Sequence, residues 1–290
     1  MELREAELTP NPFPCGQGSG VRSRNIEKMT PTEQTHSLWD GKIKTLVMKA
    51  GSGPALVYLH GDFGLFWNEF LDKLAENFTV YAPALPGTTP GDPDGLRALD
   101  DMWDLVLYHY ELFDKLGVES PILVGDSFGA MVAAELAATD PSRVSKLVLM
   151  SAMGLWRDDA PIRNYIITPQ AELAPLILRN PEHSVRKQIF ADGMDPAQQD
   201  AYIKMAWTFA CVGKFIWPIP DKGLSKRTHR IKAPTLIVWG KQDRLIPPLY
   251  AGEFHRRIAG SKVELIDNAA HMLAFEQPEA TAKLVQSFLK

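Results

Sequence analysis

Short continuous apolar runs alternate along this chain with stretches whose apolar positions recur every three to four residues. Ala55 to Leu59, Phe78 to Pro83, Pro121 to Val124, Val144 to Met150 and Pro234 to Trp239 each read as a strand buried on both faces. Lys42 to Lys49 alternates and reads as a half-buried strand, and Lys262 to Ile266 as the last one. Trp67 to Asn77 puts Trp67, Phe70, Leu71 and Leu74 on one helical face. Asp100 to Leu116 does the same through Leu105, Val106, Leu112 and Phe113, with Gly117 as its stop. His109 lies among those apolar neighbours and reads as a packed structural histidine. Ala130 to Thr139, a stretch ending near Ile258, and Pro278 to Leu289 complete the helices. Strands alternating with helices predict an α/β fold around a mostly parallel, doubly wound sheet.

The alternation lapses between Ser151 and Arg230. Seven prolines, Pro161 to Pro220, cut this stretch into short pieces, and it is rich in aromatic residues such as Trp156, Tyr165, Trp207 and Trp217. Structureless loops of such length are uncommon, so residues 151–230 are expected to form a helical cap inserted after the sixth strand. The core is expected over residues 37–150 and 231–290. Residues 1–36, with Pro10, Pro12, Pro14, Gly16, Gly18 and Gly20 and no clear period, read as a poorly ordered leader.

Composition narrows the function classes. The chain has 290 residues, 45% hydrophobic and 23% charged, with a net charge of −4. That is an ordinary globular profile and gives no reason to expect nucleic acid or a membrane as partner. Cys15 and Cys211 form no disulfide framework or metal cluster and read as free thiols. The charged start lacks a signal-peptide core and no run approaches a membrane span, so a cytoplasmic protein is expected. Dinucleotide and phosphate-loop motifs are absent, so no cofactor or metal is expected, only a small-molecule substrate. Monomer and homodimer remain open.

The chemistry centres on Gly125-Asp126-Ser127-Phe128-Gly129. An apolar strand enters this Gly-x-Ser-x-Gly turn and a helix leaves it, the setting in which the motif becomes a nucleophile elbow. The glycines permit a sharp turn. The serine would stand at a helix N-terminus, where free N–H groups favour a developing anion. A serine hydroxyl needs a base, and the base an orienting acid. His60, Ser127, Asp243 and His271 each fall just after a predicted strand, on the sheet edge where such folds bind ligands.

The order Ser127, Asp243, His271 resembles that of the α/β-hydrolases. His60-Gly61-Asp62-Phe63-Gly64 is similar to the family's oxyanion turn, Trp239-Gly240-Lys241-Gln242-Asp243 to its acid loop, and Ala270-His271-Met272 with Glu276 to its histidine loop. The resemblance covers residues 37–290. It implies an α/β-hydrolase fold in which Ser127 attacks, His271 shuttles the proton and Asp243 orients the imidazole. It also implies an oxyanion hole of the backbone N–H groups of Phe128 and Asp62, which works if the Asp62 carboxylate faces solvent. Asp126 is expected to be an exposed elbow residue, since as nucleophile it would put the glycine spacing off by one. Asp158 or Asp159 is the alternative acid.

Phe63 and Trp156 are the expected substrate contacts. The expected activity is that of a serine esterase on a small, largely apolar ester. The elbow is also close to that of carbon–carbon-bond hydrolases of ring-fission products, with Arg157, Arg163 or Arg179 to grip a dienoate. Lactone hydrolysis is a further alternative, and a ligand receptor retaining the triad is the reading from a different class.

Overall fold

The structure, a computed structural model, describes residues 29–190 and 196–290. Most of the expected leader, with Cys15, lies outside the described residues. The strands are β1 (Thr32–Leu38), β2 (Ile43–Ala50), β3 (Ala55–Leu59), β4 (Thr79–Pro83), β5 (Ile122–Asp126), β6 (Lys146–Met150), β7 (Thr235–Gly240) and β8 (Lys262–Ile266). They form one sheet in the order β1-β2-β4-β3-β5-β6-β7-β8. β1 with β2 and β2 with β4 are antiparallel, and the pairs from β4 to β8 are parallel.

The helices are α1 (Glu69–Ala75), α2 (Met102–Leu116), α3 (Phe128–Thr139), α4 (Gln170–Ile177), α5 (Arg186–Ile189), α6 (Pro196–Ile216), α7 (Leu249–Arg257), α8 (Leu273–Glu276) and α9 (Pro278–Leu289). α2 begins as its sequence suggests: the Asp101 carboxylate accepts from the N–H groups of Trp103 and Asp104. It ends at Gly117, in the left-handed region at φ 69°.

Two-residue periodicity splits the apolar strands between the faces. Val57, Leu59, Leu123, Leu147, Leu149, Ile237 and Trp239 pack with Leu105, Leu112, Val132, Leu136 and Phe254. Leu56, Tyr58, Val124, Val148, Met150, Leu236 and Val238 pack with Phe70, Leu71, Leu74, Val285 and Leu289. Helices thus cover both faces, and α3 is buried along Phe128 to Ala138. His109 is buried and its Nδ1 lies 2.7 Å from the Leu105 carbonyl, as expected of a packed histidine.

β1 corrects the expected leader. It begins at Thr32, inside the stretch expected to be poorly ordered. Its side chains are mostly exposed, so no apolar alternation marks it; backbone pairing with β2 holds it at the sheet edge. Between β6 and β7 lie α4, α5 and α6, and α6 spans 21 residues where the sequence suggested only short pieces.

At the centre of the sheet, the start of α3 crosses the end of β3 at close range. A Cβ on Gly129 would lie 2.0 Å from the Leu59 carbonyl oxygen, and one on Gly125 2.5 Å from Ala130 Cα. Gly129→Ala is therefore expected to cost at least about 3 kcal/mol, the upper end for overpacking, because the obstacle is backbone. Gly252→Ala, where a Cβ meets nothing nearer than Arg256 Nη1 at 3.9 Å, should be neutral or stabilising by up to about 1 kcal/mol. Urea unfolding of the two variants beside the wild type checks the contrast.

Candidate active site

Ser127 stands between β5 and α3 in a constrained backbone conformation, φ 50° and ψ −112°. Its N–H donates to the Met150 carbonyl at 2.9 Å, and its carbonyl accepts from the Met153 N–H at 3.1 Å. Those bonds hold the turn between strand and helix and aim the hydroxyl above the sheet. Ser127 is 2% exposed.

Asp243 follows β7. Its Oδ1 accepts from the N–H groups of Leu245 (3.0 Å) and Ile246 (2.9 Å), which fixes the carboxylate. Its Oδ2 lies 2.9 Å from His271 Nδ1, and His271 Nε2 lies 2.9 Å from Ser127 Oγ. The structure thus brings together all three residues expected to form the triad. The order of the bonds sets the tautomer: Nδ1–H faces the carboxylate, leaving Nε2 to accept from the serine.

The histidine loop is clamped from two sides. Gln242 Oε1 accepts from the Ala269 N–H, and the Gln242 N–H donates to the Ala269 carbonyl. Glu276 Oε2 accepts from the Ala270 N–H at 2.7 Å, while its Oε1 accepts from the Arg179 N–H at 2.8 Å. Glu276 therefore ties the loop to the segment inserted between β6 and β7. The sequence motif contained Glu276 but gave no sign of this role.

His60 is a structural residue. Its Nε2 accepts from the Leu85 N–H at 3.2 Å, so the proton sits on Nδ1, 2.8 Å from the Gly61 carbonyl. Burial lowers its pKa, with Gly61 and Asp62 opposing, and the ring stays neutral.

The oxyanion turn departs from expectation. Asp62 is fully buried, and its carboxylate turns inward. Oδ2 accepts from the Phe128 N–H at 3.3 Å, and Oδ1 accepts from the Tyr165 hydroxyl. The solvent-facing carboxylate assumed for an Asp62–Phe128 oxyanion hole is not found: a partner 103 residues further along the chain draws it in. Nothing in the sequence pattern singled out Tyr165.

Asp126 is also buried rather than exposed, and its Oδ1 has no hydrogen-bond partner. It lines a cavity of about 20 Å³ beside Ser127 and His271, roofed by Phe63, Phe66 and Phe275. That is room for about one water. Phe63, an expected substrate contact, meets the His271 ring edge-on at 6.4 Å. Trp156, the other, lines a separate cavity with Ile162, Tyr165 and Trp217. The alternative acids are engaged elsewhere: Asp158 accepts from Trp156 Nε1, and Asp159 pairs with Arg157. Arg157 also pairs with Glu253, and Arg163 with Glu172. Among the described residues no group of three or more His, Cys, Asp or Glu side chains is placed to hold a metal ion, and no helix is long and apolar enough to cross a membrane.

Charge dominates the site. Burial pulls the His271 pKa down, but Asp243, then Asp126 and Asp62, outweigh it and raise it to about 9. Burial pushes Asp126 up to about 7; His271 opposes this, and Asp62 and Asp243 add to it. A base must be neutral to accept a proton, so a reaction that uses His271 as its base should speed up with pH until His271 has lost its proton, near pH 9. The stability contribution runs the other way. A folded pKa above the unfolded 6.5 stabilises fully below pH 6.5 and is lost as pH rises through about 9. Asp126, raised from 3.8, costs stability as pH climbs from about 4 through 7. Asp126→Asn should therefore raise the melting temperature at pH 8 more than at pH 4 and move the activity profile to lower pH. Thermal melts at both values and a pH–rate profile check both signs.

Comparison with known proteins agrees with this fold. The model of the alpha/beta hydrolase family matches residues 56–284. Human monoacylglycerol lipase ABHD6 is 30% identical over 269 residues, covering 83% of this chain and 77% of that protein. Naproxen esterase from Bacillus subtilis superposes with a TM-score of 0.69 at 17% identity, covering 91% of this chain and 93% of that one. A meta-cleavage product hydrolase from Pseudomonas fluorescens does so with a TM-score of 0.68 at 16% identity, covering 88% and 97%. With four-fifths of its length matched by the family model, this chain belongs to the alpha/beta hydrolase family.

Proposed function

We propose that this hydrolase is a serine esterase that cleaves small, largely apolar esters through an acyl-enzyme. The observation that carries the reading is the unbroken line Ser127 Oγ–His271 Nε2 and His271 Nδ1–Asp243 Oδ2, with 2.9 Å at each step. Ser127 Oγ attacks the ester carbonyl as its proton passes to His271 Nε2, and Asp243 offsets the imidazolium charge. The tetrahedral intermediate collapses, and the alkoxide leaves with the proton from Nε2. Water then repeats the sequence on the acyl-enzyme and releases the acid. The N–H groups of Phe128 and Asp62 are the proposed backbone donors to the oxyanion, once the Asp62 carboxylate has left the Phe128 N–H.

The walls around Ser127 support an apolar substrate: Phe63, Phe66, Met272 and Phe275 face it. The ester-cleaving names of ABHD6 and of the naproxen esterase agree with this. The meta-cleavage hydrolase likeness keeps carbon–carbon cleavage as the second reading. Charge weighs against it. Asp62, Asp126 and Asp243 surround His271, and of Arg157, Arg163 and Arg179 the first two pair with other carboxylates. A dienoate would bring a further anion into an acidic site.

Steady-state hydrolysis of p-nitrophenyl esters of increasing acyl length tests the proposal. The wild type should turn over repeatedly, which a ligand receptor would not, and Ser127→Ala should lose activity by about 10⁴-fold or more. A wild type without turnover, or a Ser127→Ala protein that matches it, overturns the ester reading.

A further inference from the structure

The Asp62 carboxylate accepts from the Phe128 N–H, one of the two amides that the proposed reaction assigns to the oxyanion. Asp62 is fully buried, immediately beyond the end of β3, and its carboxylate takes two donors, the Phe128 N–H and the Tyr165 hydroxyl. Phe128 follows the nucleophile and opens α3, so its N–H is the amide through which this elbow would stabilise a tetrahedral intermediate. While a carboxylate sits on it, a substrate carbonyl cannot. The negative charge would also oppose a second anion beside it.

Tyr165 is delivered from elsewhere. It sits on the turn Tyr165–Ile167 in the segment between β6 and β7. Its ring meets Phe209 of α6 at 5.0 Å and Phe63 of the oxyanion turn at 6.3 Å, with centroids measured in both cases. The hydroxyl is thus held by rings on both sides of the site. Burial first, then Asp62, raises its pKa well above the usual phenol value, so it keeps its proton and remains a donor. The Phe128 N–H binds Oδ2 and the Tyr165 hydroxyl binds Oδ1, so the two donors stand one carboxylate's width apart and have to close onto a single oxygen to bind a tetrahedral oxyanion.

We propose that Asp62 is the resting occupant of the oxyanion site and that Tyr165 is an additional oxyanion donor: substrate displaces the carboxylate, and the Phe128 N–H and the Tyr165 hydroxyl pass to the new oxyanion. This rests on the serine-hydrolase reading above. Gly61 and Gly64 flank the turn that has to release the carboxylate, and Gly64 already lies in the left-handed region at φ 109°. The inserted segment thereby supplies a catalytic group as well as a wall.

The test is the rate at which a neutral phosphonate diester, ethyl p-nitrophenyl alkylphosphonate, modifies Ser127 in the full chain, followed by p-nitrophenol release and intact mass. In that reaction Ser127 Oγ bonds to phosphorus, its proton goes to His271 Nε2, p-nitrophenolate leaves, and the phosphoryl oxygen takes the oxyanion position. Asp62→Ala should react at least about tenfold faster than wild type, because a like charge at hydrogen-bonding range shifts a barrier by more than one decade. Adding Tyr165→Phe to Asp62→Ala should slow it again by about 10²-fold, the usual effect of one lost oxyanion donor. If Asp62→Ala fails to fold, as judged by its melting transition, Asp62→Val makes the same comparison, because its side chain cannot accept from the Phe128 N–H.

An Asp62 variant no faster than wild type overturns the resting occupancy. A double variant as fast as Asp62→Ala overturns the role of Tyr165. Ser127→Ala is the control for the underlying reading: if it too is modified, or if no variant reacts, the serine-hydrolase reading fails and this proposal falls with it.

Discussion

At the centre of the molecule the backbone of α3 lies almost against that of β3. Gly129 stands where any side chain would strike the Leu59 carbonyl, and Gly61 lies so near the elbow that a Cβ there would meet Ser127 Cβ at 3.3 Å. This approach compresses the turn between β5 and α3 and leaves Ser127 at φ 50°, a conformation that non-glycine residues adopt only when their surroundings impose it. The constraint is met because β5 lies between β3 and β6, with paired strands on both sides. Everything proposed about chemistry starts from that position: the serine hydroxyl toward His271, the Phe128 amide toward Asp62, and the helix N-terminus beneath both.

Around this rigid point the site is unusually acidic. One imidazole is surrounded by Asp243, Asp126 and Asp62, of which only Asp243 touches it. Asp243 is held by two backbone amides, whereas Asp126 leaves an oxygen without a partner. Such an arrangement stabilises the imidazolium and burdens any anionic substrate. It agrees with the neutral esters proposed above, and it explains why an inward carboxylate at Asp62 needs both the Phe128 amide and the Tyr165 hydroxyl to remain buried.

The residues of the candidate site were legible where local pattern decides them. Ser127 and Asp243 each follow an apolar strand and His271 follows the mixed strand β8, and parallel strands put those positions on one edge whatever the loops do. The doubly wound sheet was legible for the same reason. Other features depend on partners far along the chain. The direction of the Asp62 carboxylate is set by Tyr165, in a stretch whose prolines hide its periodicity. Asp126 is buried beside a cavity that Gly61, Phe66 and Phe275 also line, residues far from it along the chain. β1 carries almost no apolar alternation, since an edge strand with exposed side chains needs only backbone pairing. The helix α6, read as fragments, runs 21 residues because it begins at Pro196 and ends just before Pro218, so its prolines bound it instead of breaking it.

The central claim is that Ser127 carries a covalent acyl group during turnover. Its most direct test is to mix the protein with a slowly deacylating p-nitrophenyl ester, quench in acid within the first turnover, and map the peptides by mass spectrometry. The account predicts an acyl adduct on the peptide containing Ser127, absent from Ser127→Ala and accumulating more slowly in Asp243→Asn. An adduct on another residue, or ester turnover with no adduct at any quench time, would contradict it.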